Sequence, residues 1–170
     1  DEGKPVPTGE VGEIVIKARF LMKGYWNRPD ATEEAVKNGF FHTGDAGYFD
    51  EDGFLYIHDR IKDMIVSGGE NVYPAEVENA LFSHPGVADV AVIGVPDERW
   101  GESVKAIIIV KPGETVTQED LVAWAKDRIA SFKCPKTVDF VSELPRNPSG
   151  KILRKDLREP FWVGHERRVG

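Results

Sequence analysis

Two near-continuous apolar runs set the strongest constraint on how this chain can fold. They occupy residues 87–95 and 104–110, and the polar sequence between them, residues 96–102, is expected to form a loop. Apolar runs of this length, without alternating polar residues, are typical of strands covered on both faces. Both are far too short to cross a bilayer as helices. We therefore predict two buried strands within a globular domain.

Helical patterns follow the strand-like ones in this half of the chain. Pro74 stands at a first-turn position, and the His-Pro-Gly sequence at residues 84–86 ends the helix that it opens. Thr117 supplies an N-cap followed by acidic residues, after which apolar residues recur at helical spacing. A short strand over residues 138–141 and a short basic helix over residues 152–158 complete the pattern. This alternation predicts a small α+β domain of usual domain size.

The first third of the chain is rich in strand patterns instead. Residues 13–17, 39–49 and 54–57 each have strand character and are bounded by Gly or Asp turns. The sequence begins Asp-Glu-Gly-Lys without an initiator methionine. From that start we expect a piece of a larger protein.

Composition excludes several classes of function. A formal net charge of -7, with no long block of like charge, argues against a nucleic-acid surface and against an anionic-membrane anchor. Cys134 is the single cysteine, so there is no disulfide framework and no cysteine-based metal site. The four histidines show no metal-like or triad-like spacing. We expect a cytoplasmic protein without a transmembrane segment and with no metal site of its own.

Four short segments concentrate Gly, Asp, Arg and Lys beyond what packing requires. They are Thr43-Gly44-Asp45, Asp59-Arg60-Ile61-Lys62, Ser67-Gly68-Gly69-Glu70-Asn71 and Pro145-Arg146-Asn147-Pro148-Ser149-Gly150-Lys151. In this order they resemble the adenylate-forming superfamily of acyl-CoA synthetases, peptide-synthetase adenylation domains and luciferases. Further segments extend the resemblance over essentially the whole chain: Gly12-Glu13-Ile14, Gly24-Tyr25-Trp26 and Tyr73-Pro74-Ala75-Glu76-Val77-Glu78. Each motif alone is weak, whereas the combination is highly specific.

The resemblance implies a division into two domains. Residues 1–61 would be the β-rich end of a large N-terminal adenylating domain, and residues 62–170 a mobile C-terminal lid with a short mixed sheet and flanking helices. Lys62 falls at the hinge of the family, where relatives carry Asp or Lys, so its side chain carries no catalytic information by itself. A hinge needs only a few residues to absorb a large backbone change.

The resemblance also implies the chemistry, which is conversion of a carboxylate and ATP to an acyl-adenylate and pyrophosphate, followed by acyl transfer to CoA. Lys151 is expected to be the catalytic lysine. Its ammonium would hold the two anionic reactants in line and neutralise charge that develops on the phosphoryl oxygens. Taken alone, a lysine in such a loop is a solvated surface residue. We assign no catalytic role to Arg146, Asn147 and Ser149, which are expected to form the loop.

Two residues are expected to bind the nucleotide. The carboxylate of Asp45 could accept hydrogen bonds from both ribose hydroxyls, although taken alone it is an ordinary turn aspartate. Arg60 resembles the family arginine that contacts the nucleotide, and a planar guanidinium suits that task. Its alternative is a surface salt bridge with Asp59 or Asp63.

Residues that resemble CoA contacts form a weaker set. Gly68 and Gly69 would permit close approach of the pantetheine arm, or would simply form a turn. Trp100 resembles a residue that packs on the CoA nucleotide, with a core anchor as its alternative. Phe132 and Lys133 resemble further contacts, although Phe132 could equally pack beneath the last helix. Cys134, next along the chain, stands where some relatives place a basic residue.

The parts that define the substrate lie upstream of this sequence in the family. These are the phosphate loop, the adenine contacts, the acyl pocket and the acidic group that binds Mg²⁺. We therefore expect the piece alone to bind ATP weakly and to have no ligase activity. The expected partners are ATP, a carboxylic acid, CoA and the missing N-terminal domain of the same protein, and no nucleic acid.

Several alternatives remain open at this point. A fatty-acid-CoA ligase is the preferred interpretation, and a peptide-synthetase adenylation domain and a luciferase-like oxygenase share the adenylation chemistry. CoA is the preferred acceptor because no carrier-protein domain follows in the sequence. A non-catalytic CoA- or nucleotide-binding module of the same fold is the alternative from a different class. The presence of Asp45, Arg60 and Lys151 together disfavours it, because a pure binder would not need all three.

Overall fold

A computed structural model describes residues 4–165, and the predicted domains also include residues outside that range. The chain forms two compact units, Asp1–Ile61 and Lys62–Gly170. Each unit has its own sheet, and they are described separately below.

The first unit is built around a four-stranded antiparallel sheet. The longest strand, β3 (Phe40–Phe49), pairs with β1 (Gly12–Ile16), β2 (Val36–Lys37) and β4 (Leu55–Arg60). A short helix, α1 (Pro29–Ala35), precedes β2 and was not predicted. It begins with proline at its first turn but buries none of its residues, so it lacks the apolar face by which a helix is recognised in a sequence.

Large apolar side chains remain exposed in the first unit. Ala46 is the one hydrophobic residue of this unit, within the described range, whose side chain is buried in the core. The most exposed aromatic and aliphatic side chains of the unit are Phe20, Trp26, Phe49, Phe54 and Ile57. So many exposed large apolar side chains in one small unit are unusual for a protein surface in water.

The second unit contains a mixed five-stranded sheet. Its strands are β5 (Ile65–Ser67), β6 (Glu70–Val72), β7 (Val87–Asp97), β8 (Gly101–Val110) and β9 (Thr137–Phe140). The order is β6-β5-β8-β7, and β9 pairs with β8 in parallel while all other pairs are antiparallel. The short mixed sheet that was predicted is therefore confirmed. The β5–β6 hairpin was not predicted, because three-residue strands around two glycines leave too little pattern.

The central strands are covered on both faces, as the apolar runs predicted. One core cluster contains Val90, Val92, Val104 and Ile108 with residues of the two main helices, and a second contains Ala91, Ile93 and Ile107 with Leu144. The loop expected over residues 96–102 is shorter than predicted. The strands pair as far as Asp97 and Gly101, because the Asp97 carboxylate caps the tight turn by accepting from the backbone N–H groups of Arg99 and Trp100.

Three helices flank this sheet. They are α2 (Pro74–Phe82), α3 (Gln118–Lys126) and α4 (Arg154–Arg158). The first two begin where the sequence predicted, at Pro74 and after the Thr117 cap. The last is shorter than the predicted range, because Ile152 pairs with Arg146 across the preceding loop instead of entering the helix. Within residues 4–165, no helix is long and apolar enough to span a membrane.

Candidate active-site residues

Asp45 and Arg60 lie opposite each other on neighbouring strands of the first unit. They are a register pair of β3 and β4, and the guanidinium Nε is 3.7 Å from the carboxylate Oδ1. The Asp59 carboxylate, an alternative partner of Arg60, accepts a hydrogen bond from the backbone N–H of Arg60. Both side chains of the pair remain accessible, at 36% for Asp45 and 52% for Arg60. The structure thus brings together the two residues predicted to bind the nucleotide.

The turn before Asp45 holds its backbone in place. The Thr43 hydroxyl donates to the carbonyl of Ile14 at 2.7 Å and accepts from the Asp45 N–H at 3.1 Å. Gly44 has a φ of 73°, in the left-handed region that glycine tolerates best. The Thr-Gly-Asp sequence therefore fixes an aspartate on an ordered strand, with its carboxylate at the surface.

Lys151 stands at the end of a tight loop in the second unit. The loop is closed by hydrogen bonds from the Asn147 N–H to the Lys151 carbonyl and from the Leu153 N–H to the Pro145 carbonyl, each 2.9 Å. Gly150, directly before the lysine, has a φ of 83°. Over the described range of the chain, the exposed ammonium of Lys151 has no hydrogen bond or ion pair. Its charge is thus available to an anionic ligand.

Asn147 organises the interior of this loop. Its side-chain Oδ1 accepts three hydrogen bonds, from the Ser149 N–H at 3.0 Å, the Ser149 hydroxyl at 2.8 Å and the Lys151 N–H at 2.9 Å. Sequence reasoning treated Asn147 as a loop former and missed this contact to the lysine backbone. The signal was present, since asparagine side chains commonly accept from backbone N–H groups a few residues ahead.

Lys62 lies in a single 3-10 turn, Ile61–Asp63, and a charged cluster of the second unit surrounds the residue after it. The Arg158 guanidinium donates to the Lys62 carbonyl and to the Asp63 carboxylate, both at 3.3 Å. Arg154 lies 3.8 Å from Asp63 and donates to both carboxylate oxygens of Glu78, at 3.0 and 2.5 Å. Sequence reasoning recognised α4 as basic but could not find these carboxylate partners.

Gly68 and Trp100 are in direct contact, although they lie in different hairpins. The Gly68 N–H donates to the Trp100 carbonyl at 2.8 Å, and a Cβ at Gly68 would lie 2.7 Å from the indole ring. Gly68 and Gly69 have φ values of 63° and 88° and form the β5–β6 turn. Trp100 is 40% exposed, with the Arg99 guanidinium 4.6 Å from its ring centroid. The indole ring of Trp100 is thus partly exposed at the surface of the second unit.

Phe132 and Lys133 lie in the 3-10 helix Ser131–Lys133. The Lys133 ammonium is 2.7 Å from both carboxylate oxygens of Glu76 on α2, so its charge is already paired. Phe132 is 41% exposed. Cys134 is buried, and burial raises the pKa of its thiol. These residues offer a weaker anion site than a free lysine would.

Residues 4–165 offer no cluster of metal ligands. That part of the chain contains no group of three or more His, Cys, Asp or Glu side chains able to hold a metal ion.

The second unit is similar in sequence to a domain of AMP-binding enzymes. The model of the AMP-binding enzyme C-terminal domain matches residues 76–151, a segment that runs from α2 to Lys151. The chain is 51% identical over 168 residues to fatty acid–[acyl-carrier-protein] ligase ScoC of Streptomyces coeruleorubidus, covering 99% of this chain and 32% of that protein. It is 53% identical over 161 residues to long-chain-fatty-acid–CoA ligase FadD13 of Mycobacterium tuberculosis, covering 95% and 32%.

Solved structures of related enzymes are similar to this chain in fold as well. The o-succinylbenzoate CoA synthetase MenE of Bacillus subtilis, in complex with its acyl-adenylate OSB-AMP, superposes with a TM-score of 0.86 at 41% identity, covering 100% of this chain and 33% of that one. A second structure of MenE, with ATP and a magnesium ion, has a TM-score of 0.84 at 43% identity, covering 92% and 32%. The chain spans about a third of the length of the relatives that it matches.

Proposed function

We propose that this chain, whose residues 76–151 match the AMP-binding enzyme C-terminal domain, is part of an ATP-dependent acyl-CoA synthetase of the adenylate-forming superfamily. In the first half-reaction a carboxylate oxygen attacks the α-phosphate of ATP, the acyl–phosphate bond forms, and pyrophosphate leaves. In the second, the CoA thiolate attacks the acyl carbon and AMP leaves. The substrates are ATP, a carboxylic acid and CoA.

The observation that carries this proposal is the ordered loop with an unpaired lysine at its end. The backbone on both sides of Lys151 is hydrogen-bonded, whereas its ammonium contacts no described carboxylate. A fixed cation of this kind can align two anions and stabilise the charge of the pentavalent transition state. Lys151 is therefore the proposed catalytic residue.

Asp45 and Arg60 are the proposed nucleotide contacts. The accessible carboxylate of Asp45 has acceptor capacity for two ribose hydroxyls, and Arg60 lies beside it with a planar set of donors. Their mutual ion pair is exposed and weak, so it does not oppose binding of a nucleotide. Mg²⁺ is proposed to bind to residues outside this chain.

The two compact units support a proposed division of the chain into parts of two domains. We assign residues 1–61 to the end of the large adenylating domain and residues 62–170 to a mobile lid, with Lys62 as the hinge. The exposed apolar side chains of the first unit support this assignment, because a neighbouring part of a longer protein would cover them. The isolated chain is accordingly expected to be inactive.

The proposed CoA contacts are Gly68, Gly69 and Trp100, with Phe132 and Lys133 as weaker members. The contact between Gly68 and the exposed indole supports a shared surface for the CoA arm and base. The pairing of Lys133 with Glu76 means that a CoA phosphate would have to compete with that carboxylate.

A fatty acid is the preferred acyl substrate, on the strength of the similarity to ScoC and FadD13. The similarity to MenE favours an aromatic acid as the second candidate. CoA is the preferred acceptor, and ScoC provides the precedent for an acyl carrier protein instead. A cytoplasmic location is proposed because the reaction would consume ATP and CoA. The non-catalytic module is disfavoured by the unpaired Lys151.

Lys151→Ala in the full-length protein tests the proposal. Adenylate formation, measured by pyrophosphate release, should fall by about 100-fold or more, as when a transition-state donor is removed. Synthetic acyl-adenylate should still react with CoA at close to the wild-type rate. Lys155→Ala, which removes an exposed lysine of α4, is the matched control and should affect neither step. Equal loss of both half-reactions in Lys151→Ala would contradict the proposal.

A further inference from the structure

Arg146 contacts two different parts of the second unit through its guanidinium group. One guanidinium nitrogen, Nη1, donates to the Gly150 carbonyl at 2.5 Å, and the other, Nη2, donates to the Asp89 carboxylate. Gly150 is the residue before Lys151, whereas Asp89 lies near the start of β7. A single side chain thus joins the lysine loop to the central sheet of the second unit.

Asp89 is itself held in place. Its Oδ1 accepts a hydrogen bond from the Val90 N–H at 2.9 Å, and the strand register shifts between Val87 and Asp89. Val90 is in turn part of the buried core. The acceptor of Arg146 is therefore attached to a strand whose next residue is buried in the core.

The base of the loop is anchored independently of Arg146. Leu144 is buried and Ile152 packs against the same core cluster. The hydrogen bonds that Asn147 makes to Ser149 and Lys151 are internal to the loop. Removing the Arg146 side chain should therefore leave the fold and the loop shape intact, and it should release the loop tip from β7.

We propose that Arg146 is a positioning residue for adenylation, which orients the Lys151 loop by tying the Gly150 carbonyl to Asp89. This inference rests on the proposed role of Lys151. Arginine suits the task because its planar fork can serve two acceptors in different directions at once. The ammonium of a lysine is a compact point charge and cannot reproduce both contacts in the same geometry.

The test uses the full-length protein and both half-reactions. Arg146→Ala should lower adenylate formation by up to about 100-fold, the cost of misplacing a catalytic group by roughly 1 Å. The reaction of synthetic acyl-adenylate with CoA, and the thermal unfolding midpoint, should remain close to wild type. Arg146→Lys should recover only part of the lost rate. Arg128→Ala is the matched control, since this exposed arginine donates to the Trp124 carbonyl and lies over its ring on α3, and it should change neither half-reaction.

Asp89→Ala provides a second route to the same contact. Asp89→Ala should also reduce adenylate formation. The double variant with Arg146→Ala should be no slower than Arg146→Ala alone, because the effects of coupled residues are not additive. Unchanged adenylation in Arg146→Ala, equal loss of both half-reactions, or additive effects in the double variant would overturn the inference. Failure of the proposed function is separable from these outcomes, because it would show as retained adenylation in Lys151→Ala.

Discussion

Two lysines of the second unit differ in whether their charge is already paired. Lys133 is paired closely with a carboxylate, whereas Lys151 is presented unpaired on an ordered loop. The half-buried ammonium of Lys133 is less available to an anionic ligand than the exposed ammonium of Lys151. The residue with a free charge is the one suited to meet an anionic substrate.

Asp45 allows a sharp test at the scale of one residue. Asp45→Asn in the full-length protein keeps the size of the side chain but removes its charge and one acceptor. A hydrogen bond to a charged group contributes about 1.5–3 kcal/mol, so we expect the dissociation constant for ATP to rise about 10- to 100-fold. Titration calorimetry with ATP measures this directly.

The control for this substitution is Asp52→Asn, at an exposed turn of the same unit. It removes the same charge from the same unit and should leave ATP affinity unchanged. An equal loss of affinity in both variants would mean that overall charge, rather than a ribose contact, governs binding.

The cap at the start of α3 is expected to contribute stability that depends on pH. The Thr117 hydroxyl accepts from the Asp120 N–H at 3.1 Å, and the Asp120 carboxylate accepts from the Thr117 N–H at 3.1 Å and from its hydroxyl at 2.7 Å. The hydrogen bonds from Thr117 hold the pKa of Asp120 below its ordinary value. This reciprocal cap was recognisable in the sequence because threonine precedes an acidic first turn.

Substitutions at this cap should show the expected pH dependence. Thr117→Ala should lower the free energy of unfolding by about 1 kcal/mol at neutral pH.

A depressed folded-state pKa stabilises the fold above the unfolded-state pKa, and that stabilisation is lost as the pH falls through the folded-state value. Asp120→Asn should therefore be less stable than wild type at pH 7 and indistinguishable from it in strong acid. Chemical denaturation across this pH range measures the difference, and a constant difference would contradict the account.

The elements differ in how far the sequence predicts them. β7 and β8 follow from their apolar runs, and α3 follows from its cap and periodic face, because these signals are local. α1 and the β5–β6 hairpin lack such signals, since the former buries nothing and the latter has three-residue strands.

The candidate site likewise contains residues that the sequence predicts and residues that it does not. Lys151 could be found from the motif around it, and so could Asp45. The partners of the site could not, because Arg146 and Asp89 are 57 positions apart, and Arg154 and Glu78 are 76 apart. Pairings at such separations are determined by the packing of the whole unit and leave no periodic signal in the sequence.

At the scale of the molecule, the second unit contains both core clusters and the first contains neither. The Arg154 and Arg158 contacts tie α4 to Asp63, directly after the proposed hinge. The Lys151 loop immediately precedes that helix. Lys151 therefore belongs to the same unit as Asp63, and a backbone rotation at the proposed hinge would move the two residues together.

Lys62→Pro in the full-length protein tests this view. Proline fixes φ near −65° and restricts the residue before it, so it should hold the hinge near one orientation. If the two half-reactions need different orientations, one should fall by at least about 10-fold more than the other, the effect of roughly 1.4 kcal/mol in relative barrier height.

Lys62→Ala is the control, and both of its half-reactions should stay close to wild type because the side chain itself has no proposed chemical role. Pyrophosphate release and thioester formation from synthetic adenylate are the two measurements. Equal effects of the proline on both would show that no rotation at this residue separates the two steps.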